Sequence, residues 1–286
     1  DSTMHTWLEH EATKHLQTLI QFDTTNPPGN ETPAAEYVAA VLRREGIEAE
    51  VLEYAPGRGS AVCRLRGSGQ APPLLLMAHL DVVPAQAADW SIPPFAGGVA
   101  DGYVWGRGAG DTKNATAIQM AAMLAVARSG VTLRRDLLLS AMADEEVGGR
   151  GAHFLATEHP EWVQAEYALN EGGGEAFAIG GRRFYTFQVA QKGGVGVTLT
   201  ARGEAGHSSV PYAEGAISRL AAALLRLKEQ PLPHRVIDTT RRFFEGLADG
   251  VDDAQLAGRL RGMLDPARQM AAVQELGLDE YTTRLF

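Results

Sequence analysis

The chain has 286 residues, 45% of them hydrophobic and 21% charged, with a net charge of −9 at pH 7. Those values fit a globular protein with a real apolar core and exclude the basic surface that a nucleic-acid partner needs. A single cysteine, Cys63, rules out an intrachain disulfide, and no apolar run approaches the roughly 18 residues of a membrane helix. With no signal-peptide pattern at the N-terminus, a cytoplasmic protein without a membrane partner is expected.

Residues 5–22 carry Trp7, Leu8, Leu16, Leu19 and Ile20 at helical spacing and predict an entry helix, broken by the prolines and glycine of TTNPPGNET. A second helix is expected from Pro33 to about Glu45, stopped by Gly46. IEAEVLEY then alternates like a half-buried strand. Three continuous apolar runs follow, at 72–81, 134–146 and 165–173. Short apolar runs between polar residues fit strands buried on both faces, with helices above and below. The alanine-rich stretch 114–130 is one such helix, ending at Gly130. Character changes near residue 189. GGVGVTLTARGEAGHSS reads as a strand and a loop, 213–230 as an amphipathic helix, and the remainder after PLPH as mostly helical. The expected organisation is an α/β domain over 1–188, with a mixed, mostly parallel sheet flanked by helices. A smaller α+β domain is expected over 189–286.

Each apolar run ends at its carboxyl side in side chains that bind metals. The first ends in His79 and Asp81, the second in Asp144, Glu145 and Glu146, and the third in Asn170 and Glu171. In open α/β sheets the binding crevice lies beyond the carboxyl ends of the strands. Alternation places His79 and Asp81 on one face, where the carboxylate can orient the imidazole. A fourth candidate feature comes from a loop, where Asp111 follows Gly106, Gly108 and Gly110 and stands just before the alanine-rich helix. Taken singly, each feature has an ordinary alternative: a hydrogen-bonded core histidine, a pair of solvated loop acids, a helix cap. Their convergence on one sheet edge favours function, because clustered carboxylates repel one another unless a cation joins them.

MAHLDVVP, GRGAGDTK, ADEEVGG and ALNEGG, in that order, resemble the motifs of the zinc aminoacylase/carboxypeptidase family of metallopeptidases. That family includes aminoacylases, acetylornithine deacetylases, succinyl-diaminopimelate desuccinylases and glutamate carboxypeptidases. The resemblance runs over residues 5–286. It implies a catalytic domain joined to a lid, and two zinc ions per complete chain, with cobalt or manganese as alternatives. His79, Glu146 and Glu171 would bind metal and Asp111 would bridge the two ions. Asp81 would hold the His79 ring, and Glu145 would act as general base on a metal-bridging water. His207, in GEAGHSSVP, would hydrogen-bond the reacting substrate from the lid, across a homodimer interface. The implied activity is hydrolysis of an amide bond in an N-acyl amino acid or a small peptide.

The chain also departs from the family pattern. No histidine follows His207 except His234, so the last metal-binding histidine of the family has no counterpart, and GDTKN carries Thr112 and Asn114 where methionine and glycine are common. The expectation is a truncated chain with weak or no activity by itself, and the alternative is a catalytically incompetent binding or assembly member. A nucleotide-binding oxidoreductase, prompted by the glycines of GRGAGDTK, is excluded because the stretch follows no buried strand and lacks the G-x-G-x-x-G spacing.

Overall fold

The computed structural model describes residues 2–172, 176–189, 193–207, 209, 215–230, 236–265 and 267–276. The chain divides into two compact units, 1–171 and 172–286.

In the first unit, helices α1 (Ser2–Gln21) and α2 (Thr32–Arg43) precede strands β1 (Glu48–Glu53), β2 (Gly59–Leu65) and β3 (Leu74–His79). A short ribbon of β4 (Gly98–Ala100) and β5 (Tyr103–Trp105) leads into helix α3 (Lys113–Ser129). Strand β6 (Leu137–Met142), helix α4 (Arg150–Glu158) and strand β7 (Tyr167–Leu169) complete the unit. The main sheet has the order β1-β2-β6-β3-β7. β3 pairs in parallel with β6 and β7, whereas β2 is antiparallel to both β1 and β6. The sheet is therefore mixed, with β2 alone running against the others.

The apolar runs acquire their reason here. All six residues of β6 are buried, because the strand is central in the sheet and covered on both faces. On one face Leu137, Leu139 and Ala141 join Leu76, Ala61 and Cys63 under α1, α2 and α3, through Leu19, Val38, Leu42, Met120 and Leu124. The opposite face is closed by a smaller cluster in which Val62 and Met142 meet Leu155 of α4 and Trp162. Helix α3 stops where expected, at Gly130, whose left-handed φ of 70° is inexpensive only for glycine. β2 was not foreseen, although its run GSAVCRL is buried for most of its length. It is the strand that joins the β1 hairpin to the parallel part of the sheet. Among the described residues, no helix is long and apolar enough to cross a membrane.

The second unit begins earlier than the expected change at 189. The hairpin of β8 (Ala176–Ile179) and β9 (Arg182–Tyr185) turns at Gly180 and Gly181, both at positive φ, as a tight two-residue hairpin requires. Its Phe177, Ile179 and Phe184 pack on Phe244, Leu247, Leu260 and Met263. This shared core, invisible in local composition, is why 172–188 groups with the later residues. Those core residues come from α6 (Asp238–Gly250), α7 (Ala254–Gly262) and the turn after it, and α8 (Gln269–Leu276) adds Ala272. Helix α5 (Ala216–Glu229) has the foreseen amphipathic pattern but buries no residue. The expected strand in VGVTLT does not form: residues 193–207 lack regular structure and leave Val195 and Val197 exposed, because the segment pairs with no other strand among the described residues. His234 and the final stretch 277–286 lie outside the described residues.

Candidate metal centre

The carboxyl ends of β3, β6 and β7 lie at one edge of the sheet, because the three strands run in parallel. His79 is the last residue of β3 and is buried, with 2% of its surface exposed. Its Nδ1 lies 2.9 Å from the Asp81 main-chain oxygen and 3.5 Å from the Asp81 carboxylate. In the neutral ring, a proton on Nδ1 toward these acceptors leaves the Nε2 lone pair facing the crevice. Nε2 lies 3.1 Å from Asp111 Oδ1, 3.5 Å from Glu171 Oε2 and 3.9 Å from Glu145 Oε2. Ligand atoms of His79, Asp111 and Glu171 all lie within 4.8 Å of one another.

Asp111 reaches this point from the glycine-rich loop. Helix α3 starts two residues later, with Thr112 at its cap position, so Asp111 is not the cap. Gly108, at φ 86°, leaves room that a Cβ would fill against Val82 and Lys113. Lys113 is wholly buried, and its ammonium donates to the carbonyls of Leu19 (3.0 Å) and Phe22 (2.8 Å) at the end of α1. Charge at a helix C-terminus is favourable, and this contact fixes the start of α3 against α1. Burial holds the Lys113 pKa down to about 8.

Asp81 organises the acidic turn after β6. It is fully buried, and its two carboxylate oxygens accept from the backbone N–H groups of Glu145 (3.0 Å) and Glu146 (3.1 Å). Burial opposes its charge, but the His79 ring, the Asn26 amide and these two N–H groups outweigh that and lower its pKa. The two glutamates thus have their backbone clamped by Asp81, and the Glu145 carboxylate lies beside the His79 ring. Burial raises the pKa of both. For Glu145 the charges of Glu171, Asp81 and Asp111 add to the rise while His79 opposes it, and for Glu146 the strongest charged neighbour is Asp111. Glu145 keeps half of its side chain in solvent.

Of the residues singled out in the sequence, the fold brings ligand atoms of His79, Asp111 and Glu171 together, with the Asp81 and Glu145 carboxylates beside the His79 ring. Glu146 adjoins them through its backbone N–H on Asp81 and is not part of the ligand group. Asp144 does not join them. At φ 68° it reverses the chain and turns its carboxylate inward, accepting from Asn26 (3.0 Å), Arg58 (2.9 Å) and the Arg150 N–H (3.2 Å). His207 belongs to the second unit, where its Nδ1 lies 2.7 Å from the Ser209 hydroxyl. Asn26, Glu31 and Arg58 escaped the sequence reading, because an asparagine in a proline turn, a glutamate before a helix and an arginine in a glycine loop carry no local signal of burial.

Imidazole and carboxylate donors converging from three separate segments fit a divalent cation: the donor set is right, and the crowded negative charge calls for it. Fold and site together define an α/β protein with a candidate cation centre at the carboxyl edge of its sheet. Residues 75–254 match the peptidase family M20/M25/M40, and the chain belongs to that family. Its relatives include an N-fatty-acyl-amino acid synthase/hydrolase PM20D1 of Bos taurus, 35% identical over 70% of this chain and 41% of that protein. The Homo sapiens protein of the same name is 33% identical over 76% of this chain and 46% of its own length. A probable succinyl-diaminopimelate desuccinylase of Staphylococcus epidermidis is 30% identical over 71% and 47%. The chain thus spans less than half the length of these relatives. Among solved structures, the metallo-carboxypeptidase Sso-CP2 of Sulfolobus solfataricus shares the fold at a TM-score of 0.51, with 20% identity, over 57% of this chain and 38% of that one.

Proposed function

We propose that the protein is a metal-dependent hydrolase that cleaves an amide bond in N-acyl amino acids or small peptides. The observation that carries this reading is the meeting of His79 Nε2 with the carboxylates of Asp111 and Glu171, with Glu145 as a further carboxylate 3.9 Å away. The names of the relatives, N-fatty-acyl-amino acid synthase/hydrolase and succinyl-diaminopimelate desuccinylase, support the substrate class. His79, Asp111, Glu146 and Glu171 are the residues that would hold one or two ions, zinc or else cobalt or manganese. When bound, the metal supplies Lewis acidity, polarising the scissile carbonyl and acidifying water.

The chain's own groups divide the remaining work. Asp81 keeps the His79 proton on Nδ1 and so presents Nε2 in one tautomer. Glu145, with its backbone held by Asp81 and its carboxylate half-exposed, takes a proton from the attacking water as oxygen bonds to the acyl carbon. It then gives that proton to the amide nitrogen as the C–N bond breaks, releasing a carboxylic acid and an amine. Burial raises the Glu145 pKa, the direction that helps a carboxylate accept a proton and then hand it on. His207 is assigned to hydrogen-bond the developing oxyanion, in a homodimer joined through the second unit.

The test separates ligand from base. Glu145→Gln is expected to retain metal while turnover falls by about two orders of magnitude or more. Glu146→Gln is expected to weaken metal retention in elemental analysis. Equal metal loss in both variants would sink the assignment. His207→Ala should leave metal content unchanged and lower kcat by about 10²–10³-fold.

A further inference from the structure

One buried amide touches both halves of the acidic site without being part of it. Asn26, 3% exposed, donates from the same nitrogen to Asp81 Oδ2 at 2.8 Å and to Asp144 Oδ1 at 3.0 Å. Both partners are carboxylates and only accept, so the amide orientation is determined and both of its protons are used. Asp81 lies two residues beyond the end of β3 and clamps the backbone of Glu145 and Glu146, while Asp144 forms the turn that carries them.

Asn26 is itself held in place. Its own N–H donates to Val82 O at 2.9 Å, the Thr24 hydroxyl donates to Leu80 O at 2.6 Å, and Val82 N donates to Thr24 O at 3.2 Å. Segment 24–26 therefore runs as a splint along the chain that follows β3. On the far side, Arg58 reaches Asp144 at 2.9 Å and Glu31 at 2.7 Å, and Glu31 accepts from the Asp144 N–H at 3.3 Å. Two carboxylates that follow the ends of neighbouring strands repel one another. The amide joins them with two charge-assisted hydrogen bonds and adds no charge of its own.

We propose that Asn26 is a positioning residue that sets the distance between Asp81 and Asp144, and through them between the His79 ring and the Glu145–Glu146 pair. The proposal rests on the reading of this site as a metal centre. Asn26 touches neither metal nor substrate, and it acts through the two aspartates. Asn26→Ala removes the bridge, and Asn26→Asp places a third carboxylate between the other two.

The experiment measures zinc affinity of the folded protein by competition with a chelating indicator, alongside the thermal midpoint, for the wild type, both Asn26 variants and Val38→Ala. Val38 is buried in α2 within the main core and serves as a control for destabilisation alone. The expected result is zinc affinity about tenfold weaker in Asn26→Ala, weaker still in Asn26→Asp, and within about twofold of wild type in Val38→Ala. A purely structural Asn26 would lower the midpoint and leave the affinity of the folded protein unchanged, which overturns the proposal while the metal reading stands. Failure of the wild type to bind zinc overturns both together. Should Asn26→Ala not fold, Asn26→Ser keeps one donor, and the same measurement decides: an affinity equal to wild type overturns the proposal.

Discussion

Titrating His79 is the most direct probe of the candidate centre. Burial alone would lower its pKa, but the hydrogen bond to Asp81 and the charges of Glu171 and Asp81 override burial and raise it from 6.5 to about 9. Between those two values the folded, metal-free protein holds a proton that the unfolded chain has released. The stability this provides is complete below pH 6.5 and is lost as pH rises through 9. His79 is 2% exposed, so little solvent screening applies, and a gap of about 2.5 units corresponds to about 3 kcal/mol. A metal ion must displace the same proton from Nε2, so at pH 7 the apparent affinity lies about a hundredfold below its high-pH limit. Affinity is expected to rise about tenfold per pH unit from 7 toward 9, with about one proton released per ion bound at His79. Zinc competition between pH 6.5 and 9.5 measures the slope, and calorimetry in buffers of different ionisation enthalpy counts the protons. His79→Gln should abolish the slope. A wild-type affinity independent of pH, with no proton released, would refute the reasoning.

Three further outcomes follow from the surroundings of the site. Arg58→Met strips the cation from Glu31, whose side chain is wholly buried, and from Asp144; urea unfolding should show a loss of about 3–5 kcal/mol, and a loss below about 1 kcal/mol would show that the pair is not buried in solution. Gly151 opens α4 against the backbone of the acidic turn, where a Cβ would collide with Ala143 O, so Gly151→Val should lower stability by about 1–3 kcal/mol and weaken zinc binding in the same competition assay. Lys113 has a folded pKa lowered to about 8 from 10.5, so its contribution to stability grows as pH rises between those values; Lys113→Met should remove that growth, seen as the difference between wild-type and variant urea midpoints from pH 8 to 10.5.

How much of this was legible in the sequence depended on whether the signal was local. The parallel strands β3 and β6 could be read because burial writes a continuous apolar run. In contrast β7, expected to be buried on both faces, is an exposed three-residue edge strand whose apolar run reflects no burial. The segments after these strands carried His79, Glu145, Glu146 and Glu171 in view. β2 was missed, although GSAVCRL is also apolar, because it follows a short glycine loop and alternates no more clearly than its surroundings. The β8–β9 hairpin packs with later residues although the composition changes only after it, since its core partners Phe244 and Leu260 lie far along the chain. Asp144 illustrates the limit best. It stands beside two site glutamates, and only its left-handed backbone, which no residue type announces, turns it away from them. Asn26 and Arg58 are defined entirely by partners distant in sequence, which no window of residues contains.

The splint formed by residues 24–26 also has a consequence for how the chain is made. Asn26 and Asp144 are separated by 118 positions. At about 5–20 residues per second of synthesis, Asn26 waits roughly 6–24 s for its second partner to emerge from the ribosome. Asp81 emerges earlier, but β3 and the β1–β2 hairpin meet only when β6 arrives to lie between them. The nascent chain therefore carries His79, Asp81 and Asp111 apart from the acidic turn until β6, which Asp144 follows, is inserted. Insertion of that one central strand joins β3 to the β1–β2 hairpin and closes the Asp81 clamp in a single event, and Glu171 follows with β7, the last strand of the sheet.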